Sequence, residues 1–524
     1  MKKEFGILLG ILLVSCTAGV QPEADCSKAV TIRVGVPENL TVKSSLGEKS
    51  AGEYPVLWNE GDVILVNGVA SNPLSASEAG AAYADFTLPS GIMPPYNIVY
   101  AGFEGEDDLV SIPFRQEISS SGSFGADAAP MWAVSADGGP CTLEHLAAVI
   151  HIPVNGSGTV AHIRVSAVGG ESLAGEFLLS KTTGKLNGGT ACIRSLSELY
   201  LVPPSGVALS GSDYVFVAAL APGCYSEGVD VQIVTTEGEV MHIGALQGET
   251  LAAGTVYEFP AVTFAADEKL SWVIASESDL AAWRSALDSS DELALYGRAS
   301  LTADIDLTGD AWTTPFNIFN GTLDGGGHKI SGLSCPLFNV LHGNISNLTL
   351  DSSIESIPAN SCAGLFAQRM NTNGNYVPCI RNCFAEGSIT IAANTSAGAA
   401  NAGGIVGSME SGRIDGCSSS ASISVAGVAG KEKILNAGGI TGSMSSSSEV
   451  IQNCISLAGV SVSGVAATVN AGGIVGLADS PVAGCINLGS IRQEATASAS
   501  SNKGAIAGKT SSSIGGSLFR GSVM

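Results

Sequence analysis

The phrase Asn-Ala-Gly-Gly-Ile occurs three times near the end of the chain, starting at Asn401, Asn436 and Asn470, and a worn copy, Asn-Lys-Gly-Ala-Ile, starts at Asn502. Successive copies begin 35, 34 and 32 residues apart. A period of that length marks one structural unit stacked on itself, because no single unit of this size can bury its own apolar face. Such a unit has room for three short strands and three turns, so the repeats predict parallel coils spaced ~4.8 Å apart. Gly403-Gly404, Gly438-Gly439 and Gly472-Gly473 fall at one corner, where missing side chains permit sharp bends and close backbone approach. Ile405, Ile440 and Ile474 follow the glycines and are expected to point inward, one above another. Ala421, Ile423 and Val425 alternate with serines, which gives one buried and one wet face. Counting from Leu301, the remaining length accommodates about six coils.

Cys417, Cys454 and Cys485 follow the starts of their repeats by 16, 18 and 15 residues, and Cys383 takes the matching place in the preceding, longer unit. They read as an inward column. Aligned side chains on neighbouring coils have Cβ atoms ~4.8 Å apart, whereas a disulfide prefers about 3.8 Å. Free thiols acting as small hydrophobes are therefore favoured, with disulfides as the alternative. Cys362 and Cys379, which lie outside the column, are the better disulfide candidates. No metal site is expected, because no histidine joins these cysteines at ligand spacing.

The 524 residues suggest about three domains. Charged residues are only 14% and hydrophobic ones 45%, a folded, β-rich balance rather than a disordered one. Residues 401–524 hold seven Lys/Arg and six Asp/Glu, so the first 400 residues carry a net −25 of the chain's −24. An acidic region of that size argues against nucleic acid and anionic lipid surfaces as partners.

The chain opens with Lys2 and Lys3 ahead of an apolar stretch, Phe5 to Val14, which is too short to span a bilayer and has the flanks of a secretory signal. Leu13-Val14-Ser15-Cys16 resembles the bacterial lipoprotein cleavage box. That resemblance implies that Cys16 is lipidated and anchors the protein in the outer membrane, on the cell surface. Residues 17–28 then form a tether. Alternating Val30, Ile32, Val34 and Val36 begin a series of short strands separated by turn residues, which predicts antiparallel sandwiches. A Ser135–Pro140 break divides residues 29–139 from 140–265.

Trp58-Asn59-Glu60-Gly61-Asp62, Leu143-Glu144-His145-Leu146, Leu173 to Phe177 and Leu251 to Phe259 occur in an order that resembles the Bacteroidetes fimbrillin-like surface lipoproteins. The resemblance implies two β-sandwich domains related to pilus subunits and adhesins. It departs from polymerising pilins, since Arg33, the only arginine in the first 100 residues, lies inside the first strand. Trp58 is read as a core residue rather than a sugar-stacking aromatic, and His145 as a packed histidine rather than a ligand. Ser276-Glu277-Ser278-Asp279 has capping-box form and precedes Leu280, Trp283 and Leu287 on one helical face, so residues 270–300 are expected to supply a linker and a helix that lids the stack. From Ala303 onward, Phe319 to Ile330, Gly343 to Leu350, Ala363 to Phe366 and the later Ala-Gly-Gly-Ile units resemble GLUG-type surface repeats. The fold expected is therefore all-β, with two antiparallel sandwiches followed by a right-handed parallel β-helix over 301–524.

No catalytic set emerges. Asp304, Asp306 and Asp324 could cluster, but Asp324-Gly325 is also a tight-turn signal. Gly504 to Thr510 falls one residue short of a phosphate loop and aligns with the repeat. Neither an enzyme activity nor a cofactor is expected. The role implied is an adhesin or a fimbria-associated subunit, tip or stand-alone, whose partners are a surface glycan or protein, or fimbrial subunits. A glycan-binding accessory lipoprotein of a polysaccharide-uptake system is the alternative, with a carbohydrate-active enzyme behind it.

Overall fold

The computed structural model describes residues 29–36, 57–101, 109–123, 125, 128–186, 192–309, 312–355, 362–374, 377–392, 398–428, 433–445 and 449–524. Cys16, the signal sequence and the tether lie outside these residues. The chain is nearly all β, with 54% of it in strands and 4% in helices.

The N-terminal half builds two groups of mainly antiparallel sheets. In the first, Val30–Gly35 pairs antiparallel with Tyr83–Leu88, and Tyr96–Tyr100 lies between Met131–Ser135 and Leu65–Val66. Ile32, Val34, Phe86 and Ile98 fill the space between, around Trp58. The Trp58 indole donates to the Val34 carbonyl at 3.1 Å and meets Phe86 and Tyr100 edge-on, so it is a core residue. In the second group, Ala148–Asn155 pairs with Tyr214–Leu220, and Thr159–Ala167 lies between Glu198–Val202 and Val229–Thr235. The break at residues 139–140 does not separate these sheets. Leu109–Ile112 and Arg115–Glu117, which precede it, pair with Ala174–Ser180 and Glu198–Val202 of the second group. In return, Cys141–Thr142 pairs back onto Val30–Gly35. Such exchanges are invisible to a local pattern, because hydrogen-bond partners rather than composition define them.

From Trp272 onward every described strand pair is parallel, and the strands form four ladders. One repeat visits them in turn. Gly398–Gly403 lies in the fourth ladder, Val406–Met409 in the third and Gly412–Asp415 in the first, while Ser418–Ser419 and Ser422–Ala426 form a bent pair in the second. The unit thus has five short strands where three were expected. The earlier units are smaller. Phe316 pairs with Phe338, a step of 22 residues, whereas Val406 pairs with Thr441, a step of 35. The extra length supplies the fourth ladder, whose first described strand is Cys362–Ala363. The third ladder has seven described strands, one more coil than the length suggested.

Helix α1 (Glu277–Asp288) starts at Ser276, whose hydroxyl accepts from the Asp279 amide at 3.2 Å. Its Trp283 ring meets Phe316, Phe319 and Phe338 edge-on, with centroids 5.3–6.2 Å away, so α1 covers apolar side chains of the first coils. A second, five-residue helix, α2 (Glu292–Tyr296), is capped by Asp291, whose side chain accepts from the Ala294 amide. Among the described residues no helix is long and apolar enough to cross a membrane.

Candidate functional site: internal columns and a polar seam

The repeat residues form internal columns. Ile405, Ile440 and Ile474 are fully buried, and the amide of each of the first two donates to the carbonyl of the next at 2.9 Å. The paired glycines adopt no left-handed backbone, so their role is close approach rather than a sharp bend. A Cβ on Gly439 would strike the Ser456 hydroxyl across the interior and the Gly473 carbonyl on the next coil.

The asparagines that open the repeats form a column that sequence reasoning did not single out. The Asn436 side-chain amide donates to Asn401 Oδ1, Asn470 to Asn436 and Asn502 to Asn470, each at 2.7 Å. Register Asn401↔Asn436↔Asn470↔Asn502 places them on consecutive strands. Each amide is both donor and acceptor, so a stack of identical asparagines satisfies itself. The recurrence of asparagine at each repeat start was the available signal.

Cys383, Cys417, Cys454 and Cys485 are buried free thiols. Asn382 and Asn453, just before two of them, have φ of 52° and 54°, a turn conformation that asparagine tolerates. Cys362 and Cys379 are also free, which corrects the disulfide expected between them. Cys362 lies in the fourth ladder beside Asn401, at 3.4 Å from its amide, whereas Cys379 lies in the first ladder. Burial pushes the Cys379 thiol up to about 11 and the Cys383 and Cys454 thiols well above their ordinary value. Against the effect of burial, hydrogen bonds from Cys383 and Cys454 pull the Cys417 thiol the other way, so burial of all four, not their pKa, is what protects the column. Native protein treated with a thiol reagent near neutral pH should therefore label exposed Cys224 and spare the column until urea unfolds it. Mass spectrometry of the modified peptides checks this.

The carboxylates noted in the first coils do not converge on one groove. Asp306 is exposed and accepts from Thr308 and Ser331. Asp304 and Asp324 instead join the ladders to the second group of antiparallel sheets. Arg115 grips Asp304 with both terminal nitrogens, at 3.0 and 2.9 Å, and donates to the Gly327 carbonyl at 2.7 Å. Asp324 accepts from Tyr200, Asn347 and the Gly326 amide, the last an Asp-Gly turn contact. Gly326 and Gly327, both at positive φ, lie so close to His162 and Tyr200 that a side chain on either would collide with them. The run Asp324 to Lys329 is thus a docking loop as well as a turn. Glu198, 4% exposed, accepts from Arg164 at 2.8 Å and Arg381 at 3.0 Å through a single oxygen. Phe114 and Phe384 stack beside these groups at 4.9 Å. His145 is buried elsewhere, in Glu144–His145.

At the centre of the seam, His162 Nδ1 lies 3.2 Å from His328 Nε2, and His328 Nδ1 lies 3.2 Å from Asp304. A carboxylate only accepts, so His328 carries its proton on Nδ1, and His162 donates to the free Nε2. Burial, with His328 and Arg164 adding to it, holds the His162 imidazole well below 6.5. Burial also lowers His328, against the opposing pull of Asp304. Burial alone would raise the Asp304 carboxyl, but hydrogen bonds from His328 and Arg115 hold it well below the usual range.

These directions fix the pH response. A histidine whose folded pKa is depressed binds fewer protons folded than unfolded, so stability is complete above about 6.5 and falls as pH drops below that value. The slope is at most about 1.4 kcal/mol per pH unit for each imidazole. Asp304, whose folded pKa is also depressed, adds a loss in the same sense, but only below its ordinary 3.8. Urea midpoints should therefore fall between pH 7 and pH 5, and a His162→Gln, His328→Gln double variant should flatten that dependence. Asp324 also faces the pair, as do Arg115, Arg164 and Tyr200, whose raised pKa values keep them out of this interval.

Two clefts open on the seam. One, of ≈ 360 Å³, is lined by Phe114, Arg115, Glu176, Phe384, Glu386 and Leu457 among others. The second, of ≈ 160 Å³, lies between the outer face of the first ladder and the Thr159–Ala167 sheet. Among the described residues, no group of three or more histidine, cysteine or acidic side chains is placed to hold a metal ion.

The class these observations define is a nearly all-β protein in which antiparallel sheets are joined to a parallel stack by a buried polar seam. No protein-family model matches the chain, and no curated protein matches it. Among solved structures, a candidate immunoglobulin A1 protease from Bacteroides ovatus is 22% identical with a TM-score of 0.36, over 49% of this chain and 85% of that one. A candidate cell adhesion protein from Bacteroides ovatus is 14% identical with a TM-score of 0.30, over 45% and 92%. Another candidate cell adhesion protein, from Bacteroides uniformis, is 13% identical with a TM-score of 0.27, over 45% and 94%. These likenesses are weak.

Proposed function

We propose that this protein is a non-enzymatic, lipid-anchored surface protein that displays its parallel stack for binding, as an adhesin or as a tip or stand-alone subunit associated with fimbriae. In this reading the four ladders are the walls of a right-handed β-helix over residues 301–524. The antiparallel sheets are two fimbrillin-like sandwiches serving as a stalk, and lipidated Cys16 holds the stalk in the outer membrane. The observation that carries the reading is the fate of the repeating polar residues. Asn401, Asn436, Asn470 and Asn502 bond to one another inside the stack. They lie in the fourth ladder, while the second ladder turns Ser422 and Ser424 outward between buried Ile423 and Val425. Asp304 and Asp324, two of the three carboxylates that the sequence offered as a cluster, are engaged by Arg115, His328, Tyr200 and Asn347. That engagement supports a binding role over a catalytic one.

A glycan-binding accessory role is a second reading, favoured by the ≈ 360 Å³ cleft with Phe114, Arg115 and Glu386 in its lining, within the usual range of small-molecule pockets, about 300–1,000 Å³. Protease treatment of intact cells tests surface display. Degradation of the protein without cell lysis is expected; complete protection until the outer membrane is opened would exclude an adhesin. Oligosaccharide release from polysaccharides by the purified protein would overturn the non-enzymatic reading.

A further inference from the structure

The smaller seam cleft is chemically unusual. Two sheets packed face to face ordinarily bury apolar side chains between them. Here the first ladder presents Arg298, Thr322, Asp324, Ser346 and Arg381, and the opposing sheet presents Arg164. Three guanidiniums thus line one small cavity in a chain of net charge −24.

Their existing partners leave donors over. Arg164 and Arg381 share a single oxygen of Glu198. The Arg164 Nε is buried and has no hydrogen-bond partner among the described residues, which is costly for a charged donor. Arg298 reaches Glu268 at 3.0 Å through one terminal nitrogen, and both side chains are substantially exposed. Asp324 is directed at Tyr200, Asn347 and Gly326 rather than at the arginines. Guanidinium forks pair with planar or tetrahedral oxyanions in bidentate fashion, and Thr322 and Ser346 add hydroxyl donors.

We propose that the cavity lined by Arg164, Arg298 and Arg381 is a binding site for a single small oxyanion, a carboxylate, sulfate or phosphate group, which bridges the antiparallel sheets and the parallel stack. The group can arrive as a free inorganic ion or on an acidic sugar. The site follows from the seam alone and holds whichever side of the outer membrane the protein faces.

The test is isothermal titration of the full chain with inorganic sulfate, inorganic phosphate, D-galacturonate and neutral D-galactose. Saturable binding of at least one oxyanion, without binding of galactose, is expected. It should weaken at least tenfold in Arg298→Gln and in Arg381→Gln, both substitutions of partly exposed side chains. Unchanged circular dichroism and urea midpoints would show that these variants fold. Tighter binding of galacturonate than of the inorganic ions assigns an acidic sugar, and the reverse order assigns a free ion; either outcome supports the site. No saturable oxyanion binding by the unaltered protein, or equal binding by the folded variants, overturns it.

Discussion

Gly439→Val should destabilise the parallel stack by about 3 kcal/mol or more, the upper range for overpacking a closed interior. The new side chain would meet the Ser456 hydroxyl on one side and the Gly473 carbonyl on the other. A hydroxyl can rotate away, whereas the carbonyl belongs to a strand connection held by the Ile440–Ile474 amide bond at 2.9 Å. Relief therefore requires moving one coil against the next. Adding Ser456→Gly should recover only part of the loss, since the carbonyl remains. Urea denaturation of the single and double variants measures both quantities. A single variant within 0.5 kcal/mol of the parent, the ordinary range for surface substitutions, would show that Gly439 does not face a filled interior.

Glu198→Ala should cost about 3–5 kcal/mol, the usual penalty for removing one partner of a buried charge pair. The carboxylate is almost fully buried and answers two arginines from different parts of the chain. Its loss leaves Arg164, whose side chain is only 25% exposed, without its carboxylate. Arg381 is 46% exposed and loses less, because water can solvate it. The effect should therefore localise to the seam. Hydrogen exchange should rise around Thr159–Ala167 and the first ladder while the asparagine column stays protected. Uniform acceleration across the whole chain would mean that Glu198 holds something other than this junction.

What could be read from the sequence follows from how each feature is built. The isoleucine and cysteine positions were legible because each coil repeats them in order. The asparagine column stands in the same phrase, but a single polar residue per repeat carries no local sign that it faces inward and bonds to its own copies. The early coils, one of them a 22-residue step, lack the Asn-Ala-Gly-Gly-Ile phrase, so their shorter length was not legible from it. The seam was not legible at all. Arg115, His162, Glu198, Asp304, His328 and Arg381 are scattered over more than 260 positions, repeat nothing and follow no local period. Only the Gly325–Gly327 run hinted at close approach, and a turn explained it equally well.

Spin-label distances along the third ladder test the stack most directly. Ile318, Val340, Arg369, Ser408, Ser443, Leu477 and Lys509 occupy one register column. Ile318, Arg369 and Lys509 are exposed at its surface. With ~4.8 Å per rung, labels at Arg369 and Lys509 should lie about 19 Å apart, and labels at Ile318 and Lys509 about 29 Å apart, each before a constant label offset. Two narrow distributions whose means differ by about two rungs are the predicted result. Broad distributions, or means that do not scale with the number of rungs, would contradict a continuous parallel stack.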